Sequence, residues 1–209
     1  MCGLTGFLGG KRSYNLSNSS PIINAMLNKI HHRGPDDHGT WSDSNNGVIL
    51  GHKRLSIVDL TISGHQPMHS HSDRYVVIFN GEIYNHTDLR KKLNSDKKIS
   101  SWNGTSDTET LLAGFDVWGI RRTMAECIGM FSLAVWDKAS KTLSLIVDRV
   151  GEKPMYYGWQ GQGKAKTFLF GSELKALKEH PVFEKNINRD SLSLLMRHSY
   201  ISYPNSIWK

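Results

Sequence analysis

Two runs of apolar residues, Met130–Trp136 and Leu143–Val147, are separated by a short polar segment, Asp137-Lys138-Ala139-Ser140-Lys141-Thr142. Nearly every position in both runs is apolar, so both faces of this pair should be covered, and the polar loop marks an antiparallel hairpin. No other stretch constrains the fold as much, because a sheet covered twice needs a layer on each side. Further strands are expected at residues 2–9 and 47–59, the second interrupted near Gly51-His52-Lys53-Arg54, and at Tyr75–Phe79, Met155–Trp159 and Phe168–Gly171. Asn80-Gly81 between apolar runs is a strong hairpin signal, with Glu82-Ile83-Tyr84 starting the return.

Ser20-Pro21 reads as a helix start, followed by Ile22, Ile23, Met26, Leu27 and Ile30 on one stripe. Helices are also expected at 87–94, at 107–118 behind Ser106 or Asp107 as cap, from Ser172 to Lys178, and at 189–198. Strands joined by hairpins rather than by helical crossovers imply two mostly antiparallel sheets packed together with helices outside. The 209 residues suit one domain, or one domain with a short extension.

Charge and cysteine count narrow the function. The net charge of +7 is scattered, with no basic run interleaved with aromatics, so nucleic-acid binding is not expected. No apolar run approaches a membrane span and the start has no signal-peptide pattern, so a cytoplasmic protein is expected. The two cysteines, Cys2 and Cys127, cannot build a disulfide framework or a CxxC site, and Cys127 reads as a small buried hydrophobe. His31, His32, His38, His65, His69 and His71 match no common zinc spacing.

Cys2 carries more chemistry. Removal of Met1 would give one residue both a thiol and a free α-amine, a nucleophile with its own base. Standing alone it is more simply an inert terminal residue. Arg54 is a surface residue or a bidentate carboxylate binder, Asn80-Gly81-Glu82 a plain turn or a cluster of donors and a carboxylate, and Asp107 a helix cap or a ligand.

Taken in order, however, Cys2-Gly3, His32-Arg33-Gly34-Pro35-Asp36, Arg54-Leu55-Ser56-Ile57-Val58-Asp59, Asn80-Gly81-Glu82-Ile83-Tyr84-Asn85, Ser106-Asp107-Thr108-Glu109 and Gly129-Met130-Phe131 resemble the glutaminase domain of the asparagine synthetase family. Asp148-Arg149, Gly151-Glu152-Lys153-Pro154-Met155-Tyr156-Tyr157 and Ser172-Glu173-Leu174-Lys175-Ala176-Leu177 extend the resemblance along nearly the whole chain.

The resemblance implies an αββα four-layer sandwich of the N-terminal-nucleophile hydrolase type, in the α+β class. It implies Cys2 as nucleophile, Asn80 and Gly81 as oxyanion hole, Arg54 for the glutamine α-carboxylate, and Glu82 and Asp107 for its α-ammonium. Leu55, Ile57 and Val58 are implied as backbone contacts. Glutamine is the implied substrate. Residues 1–185 would form the amidotransferase domain and 186–209 a helix and linker toward an ATP-dependent synthetase domain, in cis or in trans. ATP and magnesium would belong to that domain alone, no metal or cofactor is expected in this chain, and a homodimer is compatible. The ammonia acceptor is aspartate by default. Alternatives are a sugar-phosphate or surface-polysaccharide amidotransferase branch, or an interaction domain without turnover.

Overall fold

The computed structural model describes residues 1–10, 16–57, 59–95, 99 and 101–208. Among these, strands β1 (Gly3–Leu8), β2 (Asp37–Asp43), β3 (Val48–Arg54), β8 (Tyr156–Gln160) and β9 (Thr167–Gly171) form one sheet in the order β2-β3-β1-β9-β8. The second sheet, β4-β5-β6-β7, consists of β4 (Met68–His69), β5 (Tyr75–Ile83), β6 (Gly129–Asp137) and β7 (Thr142–Val147). Every pairing is antiparallel.

Alternation along the strands sends side chains into three apolar layers. Leu4, Val48, Leu50, Val76, Ile78, Ala134, Trp136 and Phe170 meet between the sheets. The opposite face of the first sheet, with Phe7, Ile49 and Leu169, packs on helices α1 (Leu16–Lys29) and α5 (Leu174–Leu177). Val77, Phe79, Leu133 and Val135 cover the outer face of the second sheet, against α2 (His86–Ser95) and α3 (Asp107–Trp118). Each large side chain buried this way contributes about 1.5–3 kcal/mol, and the arrangement is the expected αββα sandwich. Helix α4 (Ile120–Glu126) follows α3, and α6 (Arg189–His198) lies near the end, where Ile187 bridges to Trp208.

Several local expectations change. Asn80-Gly81 is not a turn, because β5 runs unbroken from Tyr75 to Ile83 with Asn80 opposite Ser132 and Gly81 opposite Phe131. The partner strand comes about fifty residues later, and only a glycine lets the strands close: a Cβ at position 81 would collide with the Met130 carbonyl and Phe131. Strand β3 is likewise unbroken through Gly51-His52-Lys53-Arg54, where a Cβ on Gly51 would crowd Ile23 of α1. Helix α1 begins at Leu16 and takes Pro21 inside it, since packing of the Ile23, Met26, Leu27 and Ile30 stripe outweighs one lost backbone bond. Strand β7 is covered less than expected, being half-exposed at the sheet edge, and the helix after Ser172 is a single turn.

Candidate active site

The same alternation assembles the site. Leu4 and Leu8 of β1 face the space between the sheets, and Cys2 continues their parity. On β3, Val48 and Leu50 face it, so His52 and Arg54 follow; on β5, Val76 and Ile78 are followed by Asn80 and Glu82. Polar residues thus replace apolar ones at one end of the interlayer space.

The half-buried thiol of Cys2 lies against the backbone of Leu55, accepting from its N–H at 3.4 Å and donating to its carbonyl at 3.6 Å. Burial pushes this thiol above its ordinary value, opposed by the Leu55 N–H, the positive chain terminus and Arg54, while Asp107 adds to the rise. The carbonyl of Cys2 accepts from Arg33 Nε at 2.9 Å, and Arg33 Nη1 is held by Glu173 at 3.0 Å. Although burial acts the other way, Lys175, Arg33 and His32 together lower Glu173 to about 2. Leu4 is fixed in both directions by Ser172, whose Oγ accepts from Leu4 N at 3.1 Å and whose N–H donates to the Leu4 carbonyl at 2.8 Å. Strand β1 is therefore anchored immediately behind Cys2.

Asn80 is 1% exposed, and its Nδ2 has no hydrogen-bond partner among the described residues. Backbone direction in β5 is equally telling. Phe131 turns its own N–H and carbonyl toward Asp148, away from β5. Gly81 opposite it therefore directs its N–H away from β6, as do its odd-numbered neighbours. Phe79 N–H goes to Gln66 Oε1 at 2.6 Å and Ile83 N–H to Asp107 Oδ2 at 2.9 Å. Between them, the Gly81 N–H has no partner among the described residues. Two uncommitted donors, one amide side chain and one backbone N–H, thus stand side by side.

Asp107, the first residue of α3 after the Ser106 cap, also accepts from Thr108 N at 2.8 Å. Burial raises its carboxyl, countered by the Ile83 N–H and His86, and neighbouring Glu82 raises it further. Two carboxylates thus meet at this end of β5, with Glu82 exposed.

Arg54 is buried under the loop that follows β3. Its Nη1 donates to the Thr61 carbonyl at 2.9 Å, its Nη2 to the Asp59 carbonyl, and Asp37 Oδ2 lies 3.9 Å away. A side chain at Gly64 would overlap the guanidinium. Leu55 is partly buried and Ile57 is 70% exposed, while Val58 lies outside the described residues.

Three residues near this centre escaped the sequence reading of the site. Arg33 belongs to a quoted motif but gave no sign of clamping Cys2. His52 spans the sheets, its Nε2 bonded to the Phe79 carbonyl at 2.9 Å. Burial lowers His52 to about 4, so the ring is neutral at physiological pH and Nε2 carries the proton. The third is Lys153, 7% exposed, with Nζ 2.9 Å from Met1 Sδ.

Among the described residues no three histidine, cysteine or acidic side chains converge as a metal site. His65 and His69 instead pair with Asp37 and Asp73, at 2.7 Å and 2.6 Å. No described helix is long and apolar enough to cross a membrane.

A family profile described as "Glutamine amidotransferase domain" matches residues 1–209. The chain belongs to the glutamine amidotransferase domain family. Within that family it is 38% identical over 199 residues to "Asparagine synthetase [glutamine-hydrolyzing] 3" of Bacillus subtilis, covering 92% of this chain and 30% of that protein. It is 34% identical over 227 aligned residues to "Putative asparagine synthetase [glutamine-hydrolyzing] 2" of Methanocaldococcus jannaschii, covering all of this chain and 41% of that one. The chain thus spans well under half the length of these relatives. Among solved structures, glutamine phosphoribosylpyrophosphate amidotransferase from B. subtilis superposes with a TM-score of 0.67 at 19% identity, over 85% of this chain and 43% of that one, a likeness of fold. This amidotransferase domain therefore has the sandwich of N-terminal-nucleophile hydrolases, in the branch of asparagine-synthetase-like proteins.

Proposed function

We propose that this domain hydrolyses glutamine through a thioester on Cys2 and supplies the ammonia for amide formation on an acceptor carboxylate, aspartate by default. The observation that carries this reading is the pair of uncommitted donors, Asn80 Nδ2 and the Gly81 N–H, at the same end of the interlayer space as the Cys2 thiol.

With Met1 removed, the α-amine of Cys2 takes the thiol proton and Sγ attacks the side-chain carbonyl carbon of glutamine. The oxygen becomes an oxyanion directed at Asn80 and Gly81, the two donors that strengthen only as charge develops. Proton return from the ammonium to the departing nitrogen releases ammonia and leaves the thioester. Water then adds, the carbon–sulfur bond breaks, and glutamate and the free thiol are regenerated. Arg54 retains N–H donors beyond the two given to loop carbonyls, and these would meet the glutamine α-carboxylate. Glu82 and Asp107 would take its α-ammonium, with Leu55, Ile57 and Val58 as backbone contacts.

The acceptor chemistry belongs to a synthetase domain, in cis or in trans, which would bind ATP and magnesium, with residues 186–209 as the passage toward it. Such a domain would find an apolar surface at Tyr157, Trp159 and Tyr203, which are exposed around one cavity of about 640 Å³. A cytoplasmic setting would keep the thiol reduced.

Intact-mass measurement and a glutamate-release assay test the reading together. The expected results are loss of Met1, turnover of glutamine, no turnover in Cys2→Ala, and labelling of Cys2 but not Cys127 by a glutamine-analogue electrophile. Burial pushes the Cys127 thiol up to about 12, which protects it from labelling. Turnover by protein that retains Met1 would overturn the mechanism.

A further inference from the structure

We propose that Lys153 sets the protonation of the Cys2 α-amine, acting as a fixed cation that keeps this amine neutral and able to serve as a base. The inference rests on the proposed use of Cys2 as an N-terminal nucleophile and adds the group that tunes it.

Lys153 is an unusual lysine. It is almost fully buried, and its Nζ is aimed at the Met1 thioether, 2.9 Å away, with no carboxylate partner among the described residues. A thioether is a weak acceptor and compensates poorly for a buried ammonium. The lysine is nevertheless held in place by its backbone. Asp148 accepts from the N–H groups of Phe131, Val150, Glu152 and Lys153, at 3.1, 3.0, 3.0 and 3.2 Å, so the turn after β7 is built around one carboxylate. That turn holds a positive charge beside the residue that processing would remove.

Once Met1 is gone, the new α-amine stands where the Met1–Cys2 peptide bond was, at the base of the residue whose Sδ meets Nζ at 2.9 Å. The charged groups around Cys2 divide by side. Arg54 and Asp107 act on the thiol. Arg33 holds the carbonyl and is itself neutralised by Glu173, while Glu82 acts on Asp107. Lys153 is a cation on the amino side, against Met1, and the Asp148 carboxylate of the same turn is taken up by backbone N–H groups. A like charge disfavours the protonated amine. With an effective dielectric constant of about 20, a unit charge several ångströms away lowers a pKa by about one unit or more. An ordinary α-amine titrates at about 7.7–8.0, so such a shift brings it below neutral pH, where the free base predominates. Lys153 touches no reacting atom in this scheme and is a positioning residue for a proton.

The test compares wild type with Lys153→Met, which keeps length and apolar stem, and Lys153→Arg, which keeps charge. Competitive acetylation of the α-amine across pH, read by mass spectrometry of the N-terminal peptide, reports its titration without requiring turnover. Lys153→Met should raise the midpoint by about one unit, and Lys153→Arg should restore it. In the turnover assay, the rising limb of kcat/KM should move to higher pH by the same amount in Lys153→Met, with the plateau kept. An unchanged midpoint in des-Met1 Lys153→Met overturns the role of Lys153 while leaving the thioester mechanism standing. Retention of Met1 in active wild type overturns both.

Discussion

Asn80 places an amide nitrogen with no hydrogen-bond partner among the described residues at the end of β5 where the apolar layer of Val76 and Ile78 stops. An unpaired buried donor costs about 1–3 kcal/mol, and an oxyanion bound there would relieve it. Asn80→Ala is accordingly expected to lower kcat by about 100- to 1,000-fold, with KM little changed and resistance to urea equal or higher. A loss confined to KM would assign Asn80 to ground-state binding instead. Gly81 answers to a different constraint. Gly81→Ala drives a Cβ into the Met130 carbonyl across the β5–β6 pair, and a loss of about 1–3 kcal/mol in chemical denaturation is expected, along with activity.

The loop after β3 is the element on which substrate binding would depend, and it is fastened from beneath. Asp59 accepts from Thr61 N at 2.8 Å, Thr61 Oγ1 at 2.6 Å and Thr105 N at 3.0 Å, while Arg54 holds the carbonyls of residues 59 and 61. The Thr61 hydroxyl, ahead of the other donors, lowers Asp59 from an ordinary 3.8 to about 2. A carboxyl depressed in the folded state stabilises it fully above its ordinary value and loses that contribution as pH falls toward 2. Hydrogen exchange in residues 59–64 should therefore be unchanged from neutral pH down to about 4 and rise relative to the rest of the chain below that. Asp59→Asn should loosen the loop at neutral pH and raise KM for glutamine more than it lowers kcat.

At this scale the sequence spoke unevenly. Helix α3 was readable because Ser106 caps it and Leu111, Leu112 and Phe115 repeat on one side; the β6–β7 hairpin was readable because its loop is short. All of that information is local. Asn80-Gly81 carried a strong local turn signal and became strand interior because β6, distant in sequence, supplies the pairing. The candidate site residues stood out only as an ordered set of motifs. The clamp of Arg33 on Cys2 and the approach of Lys153 to Met1 join positions 31 and 152 residues apart, and no spacing rule reaches that far.

The whole molecule depends on the layer between the sheets, which also ends in the site. Ile78 is fully buried there, two residues before Asn80 on the same face of β5. Ile78→Ala should cost about 2–5 kcal/mol in equilibrium unfolding. If the layer transmits its packing to the site, glutaminase activity should fall even at temperatures where the variant remains folded. Full activity in such a variant would show that the strand ends are held independently, by His52 and the Arg33 clamp.

Strand β1 lies at the centre of its sheet, between β3 and β9. Its second neighbour, β9, is made long after β1 itself. At synthesis speeds of about 5–20 residues per second, residue 171 follows the first residues by roughly ten to thirty seconds. For that interval the N-terminal segment has no β9 edge to dock on and no Ser172 to fasten Leu4. Order of manufacture thus works as a timer: the aminopeptidase step that the proposed chemistry requires can be finished on an open end before β9 pairs with β1.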